Sequence, residues 1–340
     1  MNTKGVQVPL GILALFLGFF WWSDQTAFRY NTVANQSTCS VGQFEHLPER
    51  VDLVVIGSSR IRRGFSPEIA ENHSSGLLVG AVNFGRPGKS IARSYSIVRD
   101  ILGKKIYPKY IILEVDLDVL TRKPTKAKIP DLRDIGFLKY ADALEILYID
   151  DTRPLLERIH AVYRHWYLKL KSSIGYLLSG VVAQTYFSIE NRFSKTCFLA
   201  GFDRYIPLEF KKLQEQKAYY QSKYGNLDIA FEHKVSLSDI QNSYSWAARA
   251  ELYYVEKIRI LARQHDIRLL VVRFGEAYQP PLSLAAEADI RSLIPEFIHP
   301  PAPLVREAWS GFVDTHHMGP LGRSLYTKWL IEQLYIQGIK

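Results

Sequence analysis

The chain contains little cysteine, no internal repeat and no low-complexity segment. Only two of its 340 residues are cysteine, Cys39 and Cys197, and neither has a neighbour at the spacing of a metal-binding motif. This excludes a cysteine-based metal site. The two thiols either pair in an oxidising compartment or stay free. Hydrophobic residues make up 47% of the chain and charged residues 23%, which is typical of a globular protein rather than a disordered one.

Motifs for binding nucleic acids or nucleotides are also missing. The formal net charge is +9, from 43 Lys and Arg against 34 Asp and Glu. The basic residues are spread along the chain, so we interpret the charge as attraction to an anionic envelope and predict no nucleic-acid partner. A Rossmann-type nucleotide site is a weak alternative, because the glycine pair Gly85 and Gly88 lacks the full fingerprint.

Charge is absent from the segment between Gly5 and Ser23. As a helix these residues would span roughly 28 Å, close to the hydrocarbon thickness of a bilayer. Trp21 and Trp22 would serve as interfacial anchors. We therefore predict an uncleaved signal anchor over residues 1–23 and a linker over 24–50; a cleaved signal peptide and a buried helix are the alternatives. This prediction places the chain in the cell membrane as a single-pass protein. The remaining residues would then lie outside the cytoplasm, on the periplasmic or cell-surface side.

Apolar strand-like runs alternate with helical patterns in two parts of the chain. This alternation predicts an α/β fold with a parallel sheet. We expect one α/β domain from residues 51–120 and 245–340, interrupted by a mostly helical insertion or lid over 121–244. The predicted strands are Asp52–Ile56, Gly76–Val82, Tyr110–Val115 and Arg268–Phe274.

Two stretches carry residues suited to nucleophilic catalysis. Ser58 and Ser59 follow the first predicted strand, at the strand end where ligands bind in open α/β sheets; they are either helix caps or a nucleophile. Asp314 and His317 are separated by two residues, which allows a carboxylate to orient an imidazole base. Spacing alone leaves open whether His316 or His317 is that base.

Together these stretches resemble the SGNH (GDSL-like) hydrolase superfamily in three ordered blocks. The blocks are Gly57-Ser58-Ser59, Asn83-Phe84-Gly85-Arg86-Pro87-Gly88 and Asp314 to Gly322. The resemblance implies a three-layer, flavodoxin-like fold with Ser59 as nucleophile, His317 as base and Asp314 as the acid that orients it. Backbone N–H groups of Ser59 and Gly88 would form the oxyanion hole. The family's asparagine after the third strand is missing, and Glu114 and Asp116 occur there instead.

The Ser-Ser-Arg form of the first block, on a membrane anchor, is similar to envelope proteins of D-alanyl teichoic-acid transfer and alginate acetylation. This implies an acyltransferase or esterase that acts on O-acyl groups of cell-surface polysaccharide, with a polytopic membrane O-acyltransferase as a candidate partner. Asn83 and Arg60 are candidate substrate-binding residues. No metal or diffusible cofactor is implied. The alternative is a catalytically silent protein that binds glycan or scaffolds an acyltransferase.

Overall fold

The structure is a computed structural model, and it describes residues 18–19, 21–22, 47–85, 91–115, 144, 154–160, 162–164, 166–167, 170, 210–224 and 246–336. By its contacts the chain divides into two units, Met1–Glu45 with Ala127–Thr196 and His46–Lys126 with Cys197–Lys340. In the first unit, residues 155–160 are helical. The sheet lies in the second unit, together with every candidate site residue that the structure describes.

The second unit alternates strands and helices, as the sequence predicts. Its elements in chain order are β1 (Leu53–Gly57), α1 (Ser59–Gly64), α2 (Pro67–His73), β2 (Ala81–Gly85), α3 (Ile91–Gly103), β3 (Tyr110–Glu114), α4 (Phe210–Tyr224), α5 (Trp246–Gln264), β4 (Arg268–Val272), α6 (Leu284–Leu293), β5 (Phe297–Ile298), α7 (Ala302–Trp309) and α8 (Pro320–Ile336).

The five strands form one parallel sheet in the order β2-β1-β3-β4-β5. The chain runs from β1 outward to β2 and then returns to β3 on the other side of β1. β1 and β3 therefore flank the point where the strand order reverses, which is where open α/β sheets bind ligands. The prediction of an α/β fold with a parallel sheet is confirmed.

Helices cover both faces of this sheet. Successive strand residues point to opposite faces, and Leu53, Val54, Val55 and Ile56 of β1 are all at most 1% exposed. On one face, Leu53 and Val55 join a core with residues of α1, α2, α7 and α8. α3 and α5 pack on each other, and contact β1 and β4 respectively. The sheet is thus held rigidly from both sides, which fixes the position of the loops at its carboxyl edge.

The second strand begins later than predicted. Residues 76–80 form a turn and a loop, and β2 starts only at Ala81. Gly76 and Gly80 have positive φ angles of 84° and 73°, which are incompatible with extended strand geometry. Of the predicted strand Gly76–Val82, only Ala81 and Val82 belong to β2, because the two glycines bend the chain before it.

Several predictions fall on residues outside the described ranges. These include both cysteines, Gly88, Asp116 and nearly all of the predicted anchor, of which the structure describes only residues 18, 19, 21 and 22, all helical. Among the helices that the structure describes, none is long and apolar enough to cross a membrane. The domain boundaries at residues 120 and 245 stay a prediction.

Candidate active site

The two serines after β1 have different positions at the start of α1. Ser58 is the N-cap, and its hydroxyl accepts a hydrogen bond from the Arg60 amide at 3.1 Å. Ser59 is the first helical residue, so the helix offers its amide no intrahelical partner. The cap and nucleophile interpretations thus apply to different residues: Ser58 caps the helix, which leaves the Ser59 hydroxyl free for another contact.

The loop between α7 and α8 presents Asp314 and His317. Asp314 Oδ1 accepts the backbone amides of His316 at 2.8 Å and His317 at 2.9 Å, which is the local hydrogen bonding expected of an aspartate at a turn. The Val313 amide donates to the His317 carbonyl at 2.9 Å and closes the loop. Position 311, before this loop, requires glycine, because a Cβ there would lie 2.4 Å from the Gly322 amide nitrogen. The D-x-x-H spacing thus positions the ring of His317 against the carboxylate of Asp314.

Ser59, His317 and Asp314 form a continuous hydrogen-bonded chain. His317 Nε2 lies 2.8 Å from Ser59 Oγ, although the two residues are 258 positions apart in sequence. His317 Nδ1 lies 2.8 Å from Asp314 Oδ2 and 2.9 Å from Oδ1. These are the distances that a nucleophile, a general base and an orienting carboxylate require. His316 is not part of this chain.

Asp314 is held in its ionised form. Partial burial opposes the charge, but hydrogen bonds from the His317 ring and the His316 and His317 amides outweigh it and lower the pKa of Asp314 to about 2. The guanidinium of Arg63 lies 3.4 Å from Oδ2. An ionised carboxylate only accepts hydrogen bonds, so Nδ1 of His317 carries the hydrogen and Nε2 of the neutral ring is free to accept the Ser59 proton.

Glu114 lies at the end of β3, beside the start of α1. It is 8% exposed, and its Oε2 accepts the Ser58 amide at 2.6 Å. Gly57 makes room for it, because a Cβ at that position would lie 2.5 Å from Glu114 Oε2. Glu114 therefore bonds to the backbone next to Ser59.

The predicted substrate-binding residues have protein partners. Asn83 donates to the carbonyls of Ile61 at 3.1 Å and Phe65 at 2.9 Å, and its Oδ1 accepts the Gly85 amide. It therefore ties β2 to α1. Arg60, at 8% exposure, donates to the Phe274 carbonyl at 2.9 Å. Both side chains support the geometry of the site.

A second group of polar residues, which sequence reasoning missed, surrounds Glu276. This carboxylate follows β4, and Arg60 contacts its Oε1 at 2.9 Å. Tyr220 of α4 donates to Oε2 at 3.1 Å, and His316 Nδ1 lies 3.2 Å from Oε1. Gln216 of α4 donates to the carbonyls of Ala277 and Thr315. The one available signal was an acidic residue just after a buried parallel strand, at the edge where ligands bind.

No protein-family model matches the chain, and no curated protein is significantly similar to it. Among the residues that the structure describes, no group of three or more His, Cys, Asp and Glu side chains is arranged to hold a metal ion.

Proposed function

We propose that this chain is an acyltransferase or esterase of the SGNH type with Ser59 as its nucleophile. The observation that carries the proposal is the Ser59–His317–Asp314 chain, with distances of 2.8 Å on both sides of the imidazole. A serine with only a capping role would not need an imidazole and a carboxylate aligned behind its hydroxyl. The strand order 2-1-3-4-5, which is that of flavodoxin-like sheets, agrees with this class of fold.

The chemistry follows from this alignment. Ser59 Oγ attacks the carbonyl carbon of an ester as His317 Nε2 takes the hydroxyl proton. The tetrahedral intermediate collapses, and His317 returns the proton to the departing alcohol oxygen. Asp314 stabilises the imidazolium that forms between these steps. The acyl group on Ser59 then passes to a sugar hydroxyl, or to water in the esterase version.

The developing oxyanion needs backbone donors. The Ser59 amide lies at the start of α1, where a helix leaves its N–H groups unpaired. Gly88 remains the second predicted donor and lies outside the described residues. Removing a single donor from such a hole costs on the order of a hundredfold in rate.

The substrate and location are proposed from the resemblance and the N-terminal segment. An apolar stretch followed by Trp21 and Trp22 supports a membrane anchor, with the α/β unit outside the cytoplasm. The positive net charge supports proximity to an anionic surface polymer. The proposed substrates are therefore O-acyl groups of cell-surface polysaccharide, and the proposed partner is a polytopic membrane O-acyltransferase.

One observation favours the alternative of a catalytically silent scaffold. The family's asparagine after the third strand is missing here, and the carboxylate of Glu114, at the end of that strand, lies against the Ser58 amide. An ionised carboxylate repels a developing oxyanion, so this site would stabilise the transition state less well than a typical family member. Under this alternative the fold would bind glycan without turning it over.

Labelling with a fluorophosphonate probe tests the proposal. The probe reacts covalently with an activated serine, so the wild-type chain should be labelled and Ser59→Ala should not. Ser58→Ala is the matched control: it removes a neighbouring hydroxyl and should cost about 1 kcal/mol of helix capping but keep most labelling. His317→Ala should slow labelling far more than His316→Ala. An unlabelled wild type with an intact fold would favour the silent scaffold.

A further inference from the structure

His316 presents a second imidazole beside the proposed catalytic base. Its Nδ1 lies 3.2 Å from Glu276 Oε1, and its side chain is 53% exposed. The His316 and His317 rings are perpendicular, at 88°, with centres 6.4 Å apart. Within the described ranges no residue contacts Nε2 of His316, so this exposed imidazole, fixed at Nδ1 by a carboxylate, has one ring nitrogen left for a ligand.

Glu276 is anchored firmly enough to define the state of this ring. Its side chain is 19% exposed and contacts Arg60 Nη2 at 2.9 Å and the Tyr220 hydroxyl at 3.1 Å. Burial disfavours its charge, but the His316 hydrogen bond and the Arg60 guanidinium outweigh burial and lower the pKa of Glu276 to about 2. An ionised carboxylate accepts only, so Nδ1 of His316 carries the hydrogen. In the neutral tautomer that this contact selects, Nε2 is the hydrogen-bond acceptor.

This placement is complementary to an acceptor molecule with two hydroxyls. In the transfer step, His317 must accept the proton of the attacking hydroxyl. One O–H proton cannot be given to both imidazoles, so His316 can serve only a second O–H. The ring centres are 6.4 Å apart, so two oxygens that each lie about 2.8 Å from one Nε2 can be as close to each other as neighbouring hydroxyls on a sugar ring.

We infer that His316 binds the acceptor of acyl transfer by accepting a hydrogen bond from a second hydroxyl, so that the site selects vicinal diols. This inference rests on the proposed function. In the step it describes, the first hydroxyl gives its proton to His317 Nε2 as its oxygen bonds to the acyl carbon. The bond from that carbon to Ser59 Oγ then breaks, and Oγ takes the proton back from His317. The proton on the second hydroxyl stays in place and bonds to His316.

The His316 side chain can be removed without undoing the triad. Its contact with Asp314 is made by the backbone amide, which donates to Oδ1 at 2.8 Å and is present in any residue except proline. Asp314 also keeps its bonds to the ring and the amide of His317. A change at residue 316 therefore separates acceptor binding from alignment of the base.

The test is a competition between a diol and a mono-ol. The full-length chain receives 4-nitrophenyl acetate as donor with equal concentrations of cis-1,2-cyclohexanediol and cyclohexanol, and the two acetate esters are measured by mass spectrometry. The diol has twice as many hydroxyls, so a site without preference gives a ratio of about two. One additional hydrogen bond should raise the wild-type ratio a further threefold to tenfold. In His316→Ala the ratio should return to about two.

Two further variants show that the effect is specific. His73→Ala removes another imidazole near a carboxylate, since His73 Nε2 lies 3.6 Å from Glu332 Oε1 on the α2 surface, and it should keep the wild-type ratio. Glu276→Gln keeps an acceptor for the His316 ring but loses the charge that fixes its tautomer. Its ratio should fall between those of the wild type and His316→Ala.

The outcomes separate this inference from the proposed function. A wild-type ratio of two, or a raised ratio that His316→Ala leaves unchanged, overturns the inference while acyl transfer by Ser59 stands. Release of acetate with neither ester formed also overturns it, because the acceptor is then water alone. A wild type that forms no acetyl-Ser59 intermediate overturns both.

Discussion

Replacement of Asp314 by asparagine would test two things: the role of this carboxylate in orienting His317, and its contribution to the stability of the fold. The carboxylate accepts His317 Nδ1 and two backbone amides. An asparagine can still accept the amides, but its NH₂ group would donate to Nδ1 and leave the hydrogen on Nε2, facing Ser59. His317 could then no longer accept the serine proton. We expect a loss of about 10³- to 10⁴-fold in the rate of probe labelling and in kcat for 4-nitrophenyl acetate.

The same variant has a predictable effect on stability. The drop in the Asp314 pKa from 3.8 to about 2 corresponds to roughly 2 kcal/mol of unfolding free energy at neutral pH. Because the folded-state pKa is the lower one, this contribution is complete well above pH 4 and is lost as pH falls toward 2. The difference between wild type and Asp314→Asn should therefore shrink to about half by pH 3. Urea unfolding followed by tryptophan fluorescence at pH 7 and pH 3 measures it.

Asp52→Asn is the matched control. Asp52 lies just before β1, and its carboxylate accepts the Val79 amide at 2.8 Å and contacts Arg50. Burial opposes its charge, but these hydrogen bonds outweigh it and lower its pKa. This variant should lose stability with the same direction of pH dependence, yet keep normal labelling. If Asp314→Asn labels within about threefold of wild type, the assigned role of Asp314 is wrong. A stability difference that stays constant from pH 7 to pH 3 would contradict the electrostatic argument.

Two other predictions concern the close packing around Gly57 and the membrane topology of the chain. Gly57→Ala should destabilise the fold by about 1–3 kcal/mol and slow labelling, because the new Cβ would meet Glu114 and Ile61 at 2.5 Å; an unchanged urea midpoint and labelling rate would show that the contact relaxes freely. A reporter fused after Lys340 should be active only in a format that requires export, because the uncharged stretch before Ser23 is expected to span the membrane. Activity confined to a cytoplasmic reporter would contradict that topology.

Local sequence was informative where the chemistry depends on short-range geometry. The buried run before Gly57 predicted β1, and the serines after it lie at the carboxyl edge because the sheet is parallel. The D-x-x-H spacing predicted that the carboxylate of Asp314 meets the ring of His317 on one loop. In the structure Asp314 also accepts the amides two and three residues ahead, which holds that loop in place. The parallel direction of the strands follows from the helices that connect them, which the alternating pattern already indicates; the strand order does not.

Sequence was uninformative where contacts join distant elements. Nothing in the local sequence distinguishes Glu276 from other acidic residues. Its role depends on contacts with Arg60, Tyr220 and His316, which only the fold brings together. Tyr220 belongs to α4, which the sequence placed in an insertion because its helical pattern and charge resemble those of its neighbours. The start of β2 was misplaced for a local reason, since apolar residues around Gly80 favoured a strand while its positive φ prevents one.

The 258-residue separation between Ser59 and His317 has a consequence for biogenesis. At typical synthesis rates of about 5–20 residues per second, His317 leaves the ribosome roughly 10–50 s after Ser59. Under the proposed function, Ser59 lacks its base throughout that interval, so the growing chain would not attack esters. The order of synthesis would therefore delay the proposed reactivity until the loop that carries Asp314 and His317 has been made and has packed against Ser59.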